Sequence, residues 1–181
     1  MGRLIYILLS GIAGAVLLHI IIILAIPAYA ERDAWTKINA LGPTEFFHIL
    51  PMDKPGGLTS ANPFIRTAVC RFDIAEKPVR ITASGLAYYW SLAIFDPGAN
   101  EVYSMNDRTA TDKKLDIAVV TPLQMIGYRK SLPETLTDSV LIEFPGTTGY
   151  LVLRTVTPDA SWELIVREFL SSAVCQSTEA A

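Results

Sequence analysis

The densest polar constellation in this chain is Asn106-Asp107-Arg108. Tyr88, Trp90 and Tyr103 belong to strand-like runs on its N-terminal side. An aromatic wall beside an arginine and an asparagine is a common way to grip a small polar ligand. Trp90, Tyr103, Asn106, Asp107 and Arg108 are therefore the candidate ligand-binding residues. A structural corner accounts for the same residues. Asn and Asp then make the turn, and Arg pairs with a carboxylate at a sheet edge. Both readings stand on the sequence alone.

A catalytic reading would draw on carboxylates. Asp107, Asp112, Asp116 and Glu143 form the available pool, because acid–base pairs are assembled in space rather than in sequence. This gives an envelope hydrolase centred on Asp107 as the rival function, with solvated surface charge as the simpler account. His48 is the one histidine outside the apolar N-terminal run, and it sits in a proline-rich loop. No G-x-S-x-G turn presents a serine. No spacing of His, Cys, Asp and Glu suits zinc or calcium, and there is no phosphate-binding glycine loop. The expectation is a module with no cofactor, no metal and no catalytic residue, which binds or supports rather than catalyses.

Two cysteines, Cys70 and Cys175, are present. In an oxidising compartment they can pair and close a long loop. Two unrelated thiols, one in the core and one in a tail, fit the sequence as well.

These residues are positioned by what precedes them. Leu4 to Ile26 carries no charged side chain. As a helix it would reach about 35 Å, enough to cross a hydrocarbon core of about 30 Å. Arg3 precedes it, and Glu31, Arg32 and Asp33 follow. The side richer in Lys and Arg stays cytoplasmic, so the N-terminus is expected inside and the C-terminal part in the periplasm. This makes a single-pass inner-membrane protein. A signal peptide cleaved after Ala30 is the alternative, although its apolar core would run only about 7–15 residues. Ser10 with Gly14, and Gly11 with Ala15, form small-xxx-small pairs that let a second helix approach. They admit a homo-oligomer, or a membrane complex held through the helix. His19 lies inside the span without a polar neighbour one turn away.

After the span, fourteen of the fifteen Lys and Arg face all eighteen Asp and Glu, a net charge of −4. An acidic domain is a poor fit to nucleic acid. Residues 31–181 suffice for one globular core. The expected division is an anchor over 1–30, a short helix and Pro-rich strap over 31–63, and an exported α+β domain over 64–181. Asp33 to Leu41 reads as the short helix, capped by Asp33 and stopped by Gly42-Pro43. Strands are expected at Phe64–Ile74, Val79–Ser84, Ala87–Phe95, Glu101–Met105, Leu115–Val120, Val140–Phe144 and Tyr150–Val156. The last two would form a hairpin across Pro145 to Gly149. Thr121-Pro122 and Thr157-Pro158 each open a helix, which hints at an internal repeat. The expected tail from Gln176 is frayed. The class is α+β: a transmembrane helix, then a mostly antiparallel sheet of about seven strands with two or three helices packed on it.

Several separated runs carry a family resemblance. They are Val69-Cys70-Arg71-Phe72-Asp73-Ile74, Tyr89-Trp90-Ser91-Leu92, Tyr103 to Ala110, Thr121-Pro122-Leu123-Gln124, and Leu153 to Asp159. In that order they resemble an uncharacterised family of short, single-span envelope proteins of Gram-negative bacteria, domain of unknown function 1254. A related strand-rich module, 1214, occurs in longer relatives. The resemblance extends over essentially the whole chain. It implies an anchored, exported domain and no established reaction. A cysteine near the C-terminus also fits the resemblance, which favours the Cys70–Cys175 pair.

Overall fold

The computed structural model describes residues 2–54, 57–60 and 62–178, without the side chains at 27, 28 and 30–33. Its elements are α1 (Gly2–Asn39), β1 (Phe47–Ile49), β2 (Ile65–Asp73), β3 (Val79–Ala83), β4 (Trp90–Phe95) and β5 (Glu101–Asn106). They continue with β6 (Leu115–Val120), α2 (Pro122–Tyr128), β7 (Val140–Glu143), β8 (Thr148–Val156), α3 (Glu163–Ser171) and β9 (Val174–Ser177).

The strands build two sheets. One has five antiparallel strands in the order β1-β2-β8-β4-β5. The other has four, ordered β7-β6-β3-β9, with β7 parallel to β6. Period-two patterning explains the stacking. Phe72, Leu92, Ile94, Leu151 and Leu153 of the first sheet share a core with Ile81, Leu115, Ile117 and Val119 of the second. Val166, Phe169 and Leu170 of α3 join that core. The outer face of the second sheet is covered by α2, through Met125 and Tyr128 against Ala118 and Val120. The architecture is α+β, but the expected single sheet of about seven strands is two sheets of nine strands among the described residues.

Local signals account for much of this. Thr121 caps α2 by accepting from the Gln124 amide, while Gln124 Oε1 accepts from the Thr121 amide, with proline at the first helical position. The second Thr-Pro behaves differently. There Asp159 is the cap, accepting from the Ser161 amide at 2.8 Å, and a short 3-10 turn precedes α3. The two units do not repeat in space, since β6 and β8 lie in different sheets.

Three further expectations are corrected. Residues 33–39 do not form a separate helix. They are the end of α1, so no new N-cap falls at Asp33 (its side chain lies outside the described residues). β7 and β8 do not form a hairpin. β7 joins β6 after the α2 crossover, whereas β8 inserts between β2 and β4. Phe144, fully buried in the core at the end of β7, fixes that crossing, and the Thr147 carbonyl accepts from the Ile74 amide. Gln176 and Ser177 are not frayed but lie in β9, paired with Arg80 and Val79. Residues 179–181 of the expected tail lie outside the described residues.

The C-terminal end of α1 packs on the outer face of the five-stranded sheet. Ile38 is buried against Val69, Tyr150 and Val152, with Trp35 and Leu41 beside it. Trp35 meets Tyr150 at a ring-centroid distance of 6.1 Å. Gly42, at φ 144°, ends the helix where a Cβ would strike the His48 ring at 2.7 Å. Arg71 of β2 then ties the joint, donating to the Asn39 side chain and to the Gly42 carbonyl. The chain thus passes from the apolar stretch Gly2–Ile26 into the domain within one helix.

Candidate functional site

The sequence-derived candidates divide between two sides of the five-stranded sheet. Pairing across β4 and β5 places Met105 opposite Leu92 and Tyr103 opposite Ile94, on the core side. The same register places Asn106 opposite Ser91, on the outer side. Trp90 is 2% exposed, and its indole N–H donates to the Lys113 carbonyl at 3.0 Å. Asn106 closes a corner: its Oδ1 accepts from the Arg108 amide at 2.9 Å, and its carbonyl accepts from the Thr109 hydroxyl. Arg108 is exposed. Asn106 borders a shallow recess on the outer face with Ser91, Ser104 and Arg154. Trp90 and Asp107 border a different one.

That second cavity has a volume of about 330 Å³ and is lined by Ala83 to Ala87, Trp90, Asp107 and Asp112 to Lys114. A larger cavity of about 450 Å³ adjoins it, bordered by Met105, Thr111, Asp112, Lys114, Asp116, Asp138 and Val140. The two share Asp112 and Lys114. The pair is called the cleft, and the Thr111–Lys114 turn borders both. Asp112 and Lys113 of that turn both adopt left-handed backbone, at φ 52° and 58°. Non-glycine residues there cost about 1–3 kcal/mol each, so the surroundings must hold them. The Trp90 bond to the Lys113 carbonyl is such a hold. The opposite wall is fixed by Ser172, whose hydroxyl donates to the Ser84 carbonyl at 2.6 Å.

Asp107 is the anomaly of the cleft. It is 9% exposed, and its Oδ1 is sealed from solvent without a hydrogen-bond partner. Its backbone amide donates to the Trp90 carbonyl. A buried acceptor left unpaired costs about 1–3 kcal/mol, and more when charged. Asp116 is the contrasting case. Burial opposes its ionisation, but hydrogen bonds from Arg80 and Ser139 and the Arg80 charge outweigh burial and hold it below the usual carboxylate range. The Asp116 hydrogen bond likewise raises Arg80, against desolvation. The pair meets at 2.6 Å, and Ser139 donates to Asp116 at 2.5 Å.

Of the carboxylate pool, Asp107, Asp112 and Asp116 border the cleft and Glu143 does not. Lys113, Lys114, Ser84 and Asp138 were missed by sequence reasoning, and no spacing signal marks them. His48, expected in a loop, lies in β1 paired with Val69, its Nε2 3.1 Å from the Pro43 carbonyl oxygen. Among the described residues no cluster of three His, Cys, Asp or Glu could hold a metal ion. Cys70 of β2 and Cys175 of β9 are joined by a disulfide that links the two sheets through the core. On α1, Ser10, Gly11, Gly14 and Ala15 are exposed, and the Ser10 hydroxyl donates to the Ile7 carbonyl.

The fold has solved counterparts. The VPA0106 protein of Vibrio parahaemolyticus superposes with a TM-score of 0.58 at 13% identity, covering 81% of this chain and 35% of its own. A putative uncharacterised protein of Burkholderia cenocepacia gives 0.48 at 12% identity, covering 86% and 41%. The chain therefore spans between about a third and two fifths of the length of these structures. No functionally curated protein matches the sequence. The model of the family described as "Protein of unknown function (DUF1254)" matches residues 48–173, from β1 to the residue before β9, and the chain belongs to that family.

Proposed function

We propose that this protein is a single-pass inner-membrane protein that holds a binding domain on the periplasmic face. The reading rests on one conjunction. A helix long and apolar enough to span a bilayer ends packed against a domain whose core contains a buried disulfide. Disulfides persist in oxidising compartments, and the periplasm is one. The flanking charges agree, with Arg3 before the span and a net negative trio, Glu31 to Asp33, after it. About eight residues of helix, roughly 12 Å, separate Ile26 from Trp35, so the domain stays at the membrane surface. Its task on this reading is to bind, at the cleft beside Trp90 and Asp107, rather than to catalyse.

The test is topology together with maturation. A reporter active only outside the cytoplasm is fused after Ala181, and the N-terminus of the membrane fraction is sequenced. The expected result is an active reporter on a membrane-bound product that retains the span. A silent reporter, or a soluble product beginning at Glu31, overturns the anchored periplasmic reading.

A further inference from the structure

We propose that the outer face of the five-stranded sheet carries a second binding site, for an acidic saccharide, a hydroxyl-rich ring bearing a carboxylate or phosphate. The site is the recess bordered by Ser91, Ser104, Asn106 and Arg154, which shares no lining residue with the cavity beside Trp90 and Asp107. Its centre is Arg154 of β8. Leu151 and Leu153 of that strand face the core, so Arg154 stands on the opposite, outer face. The strands carry four arginines. Arg66 donates to Glu163, Arg80 to Asp116, and Arg71 to the Asn39 side chain and the Gly42 carbonyl. Arg154 alone makes no hydrogen bond or ion pair among the described residues, although β8 lies inside the sheet between β2 and β4. Its cross-strand neighbours are Thr67 and Ser91, neither of which can neutralise it. A guanidinium offers a fork of donors and no acceptor, a match to the oxygens of a carboxylate or phosphate.

Strand register shapes the recess. Arg154, Ser91 and Asn106 form one row across β8, β4 and β5, and Ala93 stands opposite Ser104 in the next. The small side chains of Ser91, Ala93 and Ser104 make the dip in the sheet face. Two polar groups are fixed before any ligand arrives. Asn106 Oδ1 accepts from the Arg108 amide, which leaves the Asn106 Nδ2 hydrogens free to donate. The Ser104 hydroxyl donates to the Glu101 carboxylate at 2.7 Å. Such preorganisation lowers the ordering cost of binding. Glu101 pairs with Phe95, two strands across and four residues along from Arg154, roughly 16 Å at the backbone. That exceeds a Debye length of about 8 Å, so Glu101 scarcely opposes an anion held by Arg154 and is placed to accept from a ring hydroxyl. The serine hydroxyls both donate and accept, as a polyol requires, and a bare anion would leave them unused. The volume of about 290 Å³ is at the small end for ligand sites and fits a single sugar ring.

The experiment is a saturation-transfer NMR titration of the full-length chain in phosphatidylcholine nanodiscs, with empty nanodiscs as the blank. The probes are glucuronate and glucose 6-phosphate. Glucose, which has the ring without the charge, and acetate, which has the charge without the ring, are the controls. At least one acidic sugar is expected to bind at least tenfold more tightly than either control. Arg154→Gln is expected to weaken it tenfold or more, the loss of a charge-assisted hydrogen bond. Ser104→Phe, on the exposed edge strand, fills the recess without removing a charge and is expected to abolish binding. Both variants are expected to melt with the parent, because neither side chain bonds an element other than its own strand. Lack of binding by both acidic sugars at about 10 mM overturns the proposal. So does glucose or acetate binding as tightly, or an affinity unchanged in Arg154→Gln or in Ser104→Phe, which would put the ligand elsewhere on the domain. The topology assay and the cleft are untouched by these variants, so failure of this site is distinguishable from failure of the anchored binding module.

Discussion

Cys70 and Cys175, separated by 105 residues of sequence, are joined by a bond that ties the five-stranded sheet to the edge strand of the four-stranded one. Both are essentially buried, at 0% and 2% exposure. The bond fastens β9, which otherwise pairs only with β3 among the described strands, to the centre of the core.

Removing this link is expected to be costly. Closing a loop of 105 residues is worth about 5 kcal/mol in the chain-entropy account, before any native strain. Cys175→Ala paired with Cys70→Ala should lower the unfolding free energy by about that amount, read from urea transitions. The native parent should also resist alkylation until it is denatured and reduced. Two thiols labelled in the native protein would sink this assignment.

Asp116 makes stability depend on pH. Its folded value lies below the ordinary one, through the Arg80 and Ser139 hydrogen bonds acting against burial. The group thus contributes stability that is present above about pH 4 and is lost as the pH falls through the folded value. At pH 7 the Asp116→Asn protein should be less stable by about 1–2 kcal/mol, given the partial exposure of the pair. The gap should shrink in unfolding curves measured near pH 3. An unchanged gap would assign the effect to packing rather than charge.

Gly149 sits where no side chain fits. A Cβ there would meet the Phe72 ring at 2.7 Å, the Phe95 carbonyl at 2.7 Å and the Phe144 ring at 2.8 Å. The backbone oxygen cannot swing aside as a flexible side chain would. Gly149→Ala is expected to destabilise by about 3 kcal/mol or to displace β8 from its neighbours. A variant melting within a degree of the parent would show that the crossing between sheets is slack.

The end of α1 belongs to the domain as much as to the anchor. Ile38 is buried under Tyr150 and Val152, so Ile38→Ala should cost about 3 kcal/mol. Leu164→Ala, at a side chain 77% exposed on α3, should change stability by less than about 0.5 kcal/mol. Equal effects at the two positions would mean that α1 does not dock. Amide exchange would report the same docking as protection across Trp35 to Asn39.

Some of this protein is written in local sequence. The apolar stretch is legible because membrane transfer depends on composition and length alone, and one helix covers Leu4–Ile26. The α2 cap is legible because Thr121, Pro122 and Gln124 satisfy one another within four residues. β6 is legible from its alternation, with Leu115, Ile117 and Val119 turned to the core. Tertiary structure decided the rest. No local signal says that β7 leaves for β6 while β8 enters the other sheet, because pairing partners are chosen by buried area summed over distant strands. Nor does adjacency reveal that Asp107 is buried while Arg108 is exposed, or that Asn106 faces the side of the sheet away from Trp90. Those differences follow from how the corner after β5 sits against the Thr111–Lys114 turn. That turn is held by the Trp90 indole from twenty-three residues away, a contact that exists only once the sandwich has formed.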